Sequence, residues 1–167
     1  KGSIIRDLVY NFQTNIFTGT DISVLSSHLF YGYEITEWAW AEEPFKLVWA
    51  VRDDGTILTL TFLREQDFVG WTHSTTGASG KFKSVATVTE STDNAGTIDA
   101  VYFVVERTIN GNTVKYIERL AERIFPNGVE DAWCVDAGLQ YDGVAATSFT
   151  GGEHLAGATV TGLADGE

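Results

Sequence analysis

The amino-acid sequence predicts a mainly β fold built from antiparallel meanders. One observation is the stretch Phe45–Trp71, in which runs of β-branched and aromatic residues alternate with short polar breaks. A second is a pair of hairpin signals, Asp53-Asp54-Gly55 and Asn110-Gly111, in which Gly accepts positive φ and Asp or Asn tolerates it. A third is that the pattern around the first signal recurs about 47 residues later. These features favour four-strand units like β-propeller blades, with a β-sandwich as the alternative.

Residues 1–34 form an N-terminal region with one predicted strand, Asp7–Gln13, and one short α-helix. The helix begins at Asp21, which can cap it, and ends at Gly32. Its apolar face has the three-four spacing of a helix and consists of Ile22, Leu25 and Leu29, with Val24 and His28 beside them. We expect His28 to be a partly buried structural residue, because no second metal ligand lies one turn away.

Residues 35–137 predict two units of four strands each. The strands of the first unit are Glu34–Trp40, Lys46–Arg52, Thr56–Leu63 and Phe68–Thr72. Period-two alternation puts Trp38 and Trp40 on the same face of the first strand, and we expect that aromatic face to be buried. Trp49 and Trp71 are expected in the core because they lie within apolar strand patterns.

The second unit repeats the character of the first. Its predicted strands are Phe82–Thr89, Ala100–Arg107, Thr113–Leu120 and Ala132–Asp136. The last of these contains Cys134, the single cysteine, which we expect to be a small buried side chain. Residues 138–167 are rich in Gly, Ala and Thr and predict the first strands of a small β-domain. The absence of methionine and the strand-like pattern near residue 163 favour a fragment of a longer protein.

Composition limits the classes of partner. The chain of 167 residues carries a net charge of −12, with acidic residues spread along its length. Such a chain has too few cations to grip nucleic-acid phosphates, although an acidic wall is compatible with DNA that passes without sticking. No apolar run is long enough for a membrane span, and no nucleotide-binding or zinc-binding motif is present, so no cofactor is predicted.

Paired carboxylates are the candidates for catalysis. Glycoside hydrolysis requires two carboxyl groups roughly 5 to 9 Å apart, and Glu42 or Glu43 could pair with Asp53 or Asp54. The positions of all four in turns or loops favour a structural role, so we expect no enzyme activity. A calcium loop at residues 53–55 lacks the ligand spacing of an EF-hand. The remaining alternative is a glycan-binding face made of exposed aromatic rings, with Trp38 and Trp40 as the contacts.

Several segments carry a resemblance to a known family. They are Asp21–Phe30, Val48–Gly55, Leu60–Gln66, Gly70-Trp71, Tyr116–Leu120 and His154–Gly166. Together they resemble the middle of tailed-bacteriophage tail proteins, in particular the nozzle, or tail tubular B-type, proteins of short-tailed phages and related prophage tail proteins. Some of these carry a label borrowed from the four-catalytic-cysteine half domain (FCCH) of ubiquitin-activating enzymes. The unpaired Cys134 gives that label no enzymatic meaning here.

The resemblance implies a β-propeller-like body, a homo-oligomeric ring below the portal, and a channel through which DNA leaves without being tightly bound. It implies other phage tail subunits as partners, a location in the virion tail, and no active site. Two rival functions remain open at this point. One is a carbohydrate- or receptor-binding module of the same tail, and the other is a cell-wall or capsule hydrolase.

Overall fold

Nine β-strands and two short 3₁₀ segments form the regular structure of the residues that the computed structural model describes, which are 4–77, 79–92, 96–125, 128–129, 132–138, 143–148, 150, 156–157 and 159. The strands are β1 Arg6–Asn11, β2 Ile16–Asp21, β3 Ile35–Ala41, β4 Leu47–Arg52, β5 Ile57–Leu63, β6 Phe68–Ser74, β7 Lys81–Ser91, β8 Thr97–Ile109 and β9 Asn112–Arg119. The 3₁₀ segments are Val24–Leu29 and Arg64–Gln66. The predicted mainly β fold is confirmed.

Every strand pairs antiparallel with its neighbour in the chain. The pairs form a β1-β2 hairpin, a four-stranded sheet β3-β4-β5-β6, and a three-stranded sheet β7-β8-β9. None of these sheets closes on itself within the described residues. The larger two instead lie face to face and share one core, as in two packed sheets.

The shared core follows from alternation along β4 and β8. Leu47, Trp49 and Val51 project from one face of β4, and alternate residues of β8, Val101 to Val105, project against them. The ring of Trp49 packs edge-on against Phe103, with centroids 5.7 Å apart. Leu29, the last residue of the first 3₁₀ segment, and Phe30, which follows it, cover the other side of the same sheet.

The opposite face of the four-stranded sheet has its own small core. Ala50 and Leu58 pack there against Leu29 and Phe30, at the end of the first 3₁₀ segment. Trp71 on β6 is half-buried, lies edge-on to Phe30, and donates its Nε1–H to the carbonyl of Ile22 at 2.9 Å. Strand β4 is therefore covered on both faces.

The predicted α-helix from Asp21 to Gly32 is wrong, because the structure has only a 3₁₀ segment there, interrupted at Ser26. The Asp21 carboxylate accepts hydrogen bonds from the backbone N–H and hydroxyl of Ser23, so it closes a local turn where a helix cap was expected. A serine-rich segment with such local bonds gains little from continuing as a helix.

The apolar face expected for that helix is buried only at Leu29, and Ile22 is half-buried. Val24 and Leu25 are exposed, the latter by 89%, and His28 is exposed where partial burial was expected. Leu29 and Phe30, at the end of the 3₁₀ segment, reach the sheet and pack against Ala50 and Leu58.

The second unit has three described strands, so the predicted strand Ala132–Asp136 is wrong. Residues 132–138 contain no strand, and Cys134 is exposed where burial was expected. The Asp136 carboxylate accepts hydrogen bonds from Thr76 and Arg107, and these bonds hold this segment where strand pairing was expected. Strand β2 was not predicted, although Asn15, at φ 57°, supplies a turn signal just before it. The predicted β-domain at 138–167 lies mostly outside the described residues.

Within the part of the chain that the structure describes, no helix has the length and apolar character needed to cross a bilayer. This agrees with the absence of a spanning run in the sequence.

The two glycine turns have different surroundings. Asn110 and Gly111 both have positive φ, and they join β8 to β9 as a two-residue hairpin loop. Gly55, at φ +93°, closes the loop between β4 and β5 by donating its N–H to the carbonyl of Arg52. Its own carbonyl accepts the N–H of Phe82 at 3.0 Å, so this turn packs directly against the start of β7.

Replacement of Gly55 by Ala is expected to destabilise the chain more than replacement of Gly111 by Ala. Both substitutions incur a cost of about 1 kcal/mol, because an L-residue disfavours positive φ. A Cβ at residue 55 would also lie 2.6 Å from the Cβ of Lys81, whereas one at residue 111 meets nothing within 4 Å. Urea unfolding should give a difference of about 1 kcal/mol or more between the two variants. Equal losses would mean that β7 moves away from the turn without cost.

Candidate functional site

The carboxylates considered for catalysis are not brought together. Glu42 and Glu43 follow β3, while Asp53 and Asp54 follow β4, and these two strands run antiparallel. The two pairs therefore lie at opposite ends of the β3-β4 pair, separated by roughly 15–20 Å at the rise of a strand. That distance exceeds the roughly 5 to 9.5 Å that glycoside hydrolysis uses. The described residues also contain no group of three or more His, Cys, Asp or Glu side chains placed to hold a metal ion.

Asp54 instead belongs to a buried arginine cluster. The guanidinium of Arg52 donates two hydrogen bonds to the Asp54 carboxylate, at 2.8 and 2.6 Å. It also donates to the carbonyl of Leu29 at 2.8 Å and to the hydroxyl of Thr56 at 3.2 Å. Its planar group stacks over the ring of Tyr33, 3.6 Å from the centroid. One side chain thus ties the β4-β5 turn to the segment that covers the sheet.

The electrostatics of this cluster favour the charged pair. Hydrogen bonds from Arg52, outweighing the effect of burial and joined by bonds from Thr56, lower the pKa of Asp54 to about 2. The same hydrogen bonds to Asp54 raise the pKa of Arg52. Both oxygens of this carboxylate accept hydrogen bonds within the turn. This favours a structural role, because few acceptor positions are left to contact a substrate.

A second arginine cluster occupies the equivalent place in the three-stranded sheet. Arg107 donates two bonds to the Glu118 carboxylate, at 2.6 and 2.8 Å, and a third to Asp136 at 3.0 Å. Asp136 also accepts from the hydroxyl of Thr76 and the N–H of Gly77. Burial by itself would raise the pKa of Asp136, but these hydrogen bonds outweigh it and the pKa lies below its usual value. The sequence has a basic residue before each turn. It does not indicate that the carboxylate of Asp136 pairs with Arg107.

The expected burial of Trp38 and Trp40 is wrong. They are 61% and 44% exposed, and they lie on the same face of β3. The reason is that β3 is an edge strand, and the layer formed by Leu29 and Phe30 contacts it at Ile35 without including Trp38 or Trp40. The opposite face of β3 carries small residues such as Ala41, and it is this face that packs into the shared core. Trp49 is the buried tryptophan, at 7% exposure.

The β1-β2 hairpin is the other exposed apolar surface. Leu8, Phe12 and Phe17 are largely exposed, Phe12 by 88%. Tyr10 packs against both phenylalanines, with centroids 4.9 and 5.2 Å away, so the tip is an aromatic cluster. The Arg64–Asp7 ion pair, at 2.6 Å, connects the hairpin to the four-stranded sheet. We call this hairpin tip, residues 8–17, the aromatic tip.

Comparison with known proteins assigns no family. No protein-family model matches the chain, and no curated protein matches it.

The Asp54 carboxylate is expected to make the free energy of unfolding depend on pH in the acid range. Because its pKa is lowered to about 2 in the folded chain, its contribution is complete above the unfolded pKa of about 3.9 and is lost as the pH falls towards 2. The side chain is 35% exposed, so we expect about 1–2 kcal/mol after solvent screening. Urea unfolding of Asp54→Asn should show a flatter dependence on pH over this range.

The matched control is Asp53→Asn. Asp53 is exposed. Its backbone N–H donates a hydrogen bond to the carbonyl of Glu34 at 2.9 Å, and the substitution leaves that bond in place. This variant should keep the pH dependence of the unmodified chain. The same flattening in both variants would assign the effect to the general loss of negative charge.

Proposed function

We propose that this chain is a non-catalytic structural component of a bacteriophage tail, of the nozzle type. It assembles with further copies in a ring around the DNA exit channel and contacts other tail subunits, and its β-sheets act as blade-like elements of that ring. The observation that carries the proposal is the aromatic tip, an apolar surface on a projecting hairpin.

The aromatic tip favours assembly on energetic grounds. A two-stranded hairpin is marginally stable by itself in water, and among the described strands β1 and β2 pair only with each other. Exposed contiguous apolar surface on a soluble domain is typical of a protein–protein contact. Burying side chains such as Phe12 and Phe17 in a neighbouring subunit would yield about 1.5–3 kcal/mol each before the cost of association.

Charge supports the same assignment. A net charge of −12 leaves the chain without the cations needed to hold DNA phosphates. Arg52 and Arg107 are also engaged in ion pairs within the chain. A ring of such subunits gives a channel wall that repels DNA and lets it slide.

Immunogold labelling of virions that carry the chain should mark the tail below the portal.

Substitution of Phe12 and Phe17 by Ser is expected to weaken self-association. Sedimentation velocity of the unmodified chain should show oligomers that increase with concentration, and the double variant should stay monomeric. Leu25→Ser is the matched control, because Leu25 is equally exposed but lies outside the hairpin. Urea unfolding should show that all three chains are folded. A chain that remains monomeric at every concentration, or a control that loses association equally, would contradict the proposal.

A second function, recognition of a host carbohydrate by the same tail, is favoured by one observation. Trp38 and Trp40 are both exposed and are two residues apart on one face of β3, so their rings project from one side of the sheet. Adjacent exposed indoles form a platform on which sugar rings stack. This function adds to the structural proposal and does not require an active site.

If the tryptophan platform binds glycan, host polysaccharide should shift the fluorescence emission of the chain and reduce acrylamide quenching. Trp38→Ala and Trp40→Ala should each lower the affinity about three- to tenfold, because each removes one stacked ring. Trp133→Ala is the control, since Trp133 is similarly exposed but lies outside β3. This second function would be contradicted if no polysaccharide tested changed the fluorescence emission. It would also be contradicted if both variants kept the full response of the unmodified chain.

A further inference from the structure

A cleft of about 220 Å³ opens at one end of the shared core. Its inner wall includes Leu47 of β4 and Val101 of β8, which are buried residues of that core. Its rim includes the loop at Pro44 and residues 120–124, which continue from β9. The cleft has the size for one aromatic side chain, because an apolar cavity of about 150 Å³ already takes benzene.

Charged side chains of both signs surround the apolar wall. Glu43, Asp99 and Glu122 are the acidic residues that line the cleft, and Arg119 and Arg123 are the basic ones. A charged segment of either sign would therefore bring like charges close together, which costs free energy at an interface. A segment without charge meets no such repulsion.

The rim also favours an aromatic occupant. The guanidinium of Arg123 lies over the ring of Phe45, 4.7 Å from its centroid. Phe45 is 43% exposed and lines the cleft as well, so a ring that entered would pack beside an aromatic ring and a cation. Both contacts are attractive, because aromatic rings favour edge-to-face packing and a cation is attracted to the face of a ring. The cleft thus suits an uncharged aromatic side chain.

The aromatic tip has this chemistry. Residues 8–20 of the hairpin include no charged side chain. Phe12 lies in the turn between the two strands and is 88% exposed. Hydrogen bonds fix the shape of this turn, since the side-chain oxygen of Asn11 accepts the N–H groups of Gln13 and Thr14, at 2.9 and 3.3 Å. A shape that is set before binding reduces the entropy lost on docking.

The aromatic tip and the cleft are different surfaces, and they belong to opposite sides of the four-stranded sheet. The hairpin is attached on the side that Leu29 and Phe30 cover, where Ile5 packs against that layer. The cleft lies on the side of the shared core. A contact between two different surfaces is heterologous, so two joined copies still offer one free tip and one free cleft. Such contacts add copies one after another and form a ring where the rotation between copies closes.

We propose that Phe12 of one copy inserts into this cleft of the next copy. Tyr10, which packs against Phe12, lies at the rim of the cleft in this contact. The inference rests on the proposed function and adds to it the surface that receives the aromatic tip. The competing arrangement is a contact between two tips, which would join copies in pairs and leave the cleft open.

Two variants, each with one half of the contact removed, test the inference. Phe12→Ser combined with Phe17→Ser removes the tip and leaves the cleft. Ala121→Trp, at the half-buried rim, fills the cleft and leaves the tip. Sedimentation velocity should show each variant alone as a monomer, with self-association weakened about tenfold or more, because a buried aromatic contact is lost. An equimolar mixture should form a dimer with one chain of each kind and no larger species, and native mass spectrometry identifies its composition.

A second cleft variant has a matched control. Ile124 lines the cleft and is 52% exposed, so Ile124→Asp places a charge at the docking surface without disturbing the core. It should behave as Ala121→Trp does, alone and in the mixture. Leu25→Asp adds the same charge at an exposed residue of the first 3₁₀ segment, outside both surfaces, and should associate as the unmodified chain does. Urea unfolding should show that all of these chains are folded.

The outcomes separate this inference from the proposed function. If both cleft variants form oligomers as large as those of the unmodified chain, or if the equimolar mixtures stay monomeric, the inference is overturned. The proposed function then stands on the oligomers of the unmodified chain. An unmodified chain that stays monomeric at every concentration would overturn both.

Discussion

The structure depends on one constraint, which is that strand β4 is covered on both faces. One face presents Trp49 and its apolar neighbours to the three-stranded sheet, and the other presents Ala50 to Phe30. Both faces of such a strand are apolar and neither is solvated, so the chain needs a covering layer on each side of the four-stranded sheet. Arg52 at the end of β4 holds one of these layers through the carbonyl of Leu29. Its charge is tolerated at 9% exposure because Asp54 neutralises it.

Local chemistry was sufficient to predict most strands and turns. Eight of the nine described strands, all except β2, coincide with strands predicted from the sequence to within a few residues. The turn at Asn110-Gly111 follows from residues that tolerate positive φ, and this property does not depend on the rest of the fold. The buried position of Trp49 follows in the same way from its place in a continuous apolar run.

The remaining features depend on contacts that local patterns do not contain. Alternation along β3 distinguishes its two faces but does not say which face is buried. That depends on where Leu29 and Phe30 cover the sheet. The sequence therefore predicts burial for Trp38 and Trp40, which are exposed in the structure. The predicted α-helix does not form, because only two residues of this segment find a surface to pack against. The position of residue 136 depends on its ion pair with Arg107, 29 residues away in the chain.

Strictly sequential strand pairing has a consequence for folding. Because each described strand pairs only with strands next to it in the chain, the three sheets form by closing short loops, which keeps the contact order low for a β protein. During synthesis the hairpin is complete first, the four-stranded sheet second and the three-stranded sheet last. Until β8 leaves the ribosome, Trp49 and its neighbours face solvent. The nascent chain is therefore most prone to aggregation in the interval between completion of β6 and completion of β8.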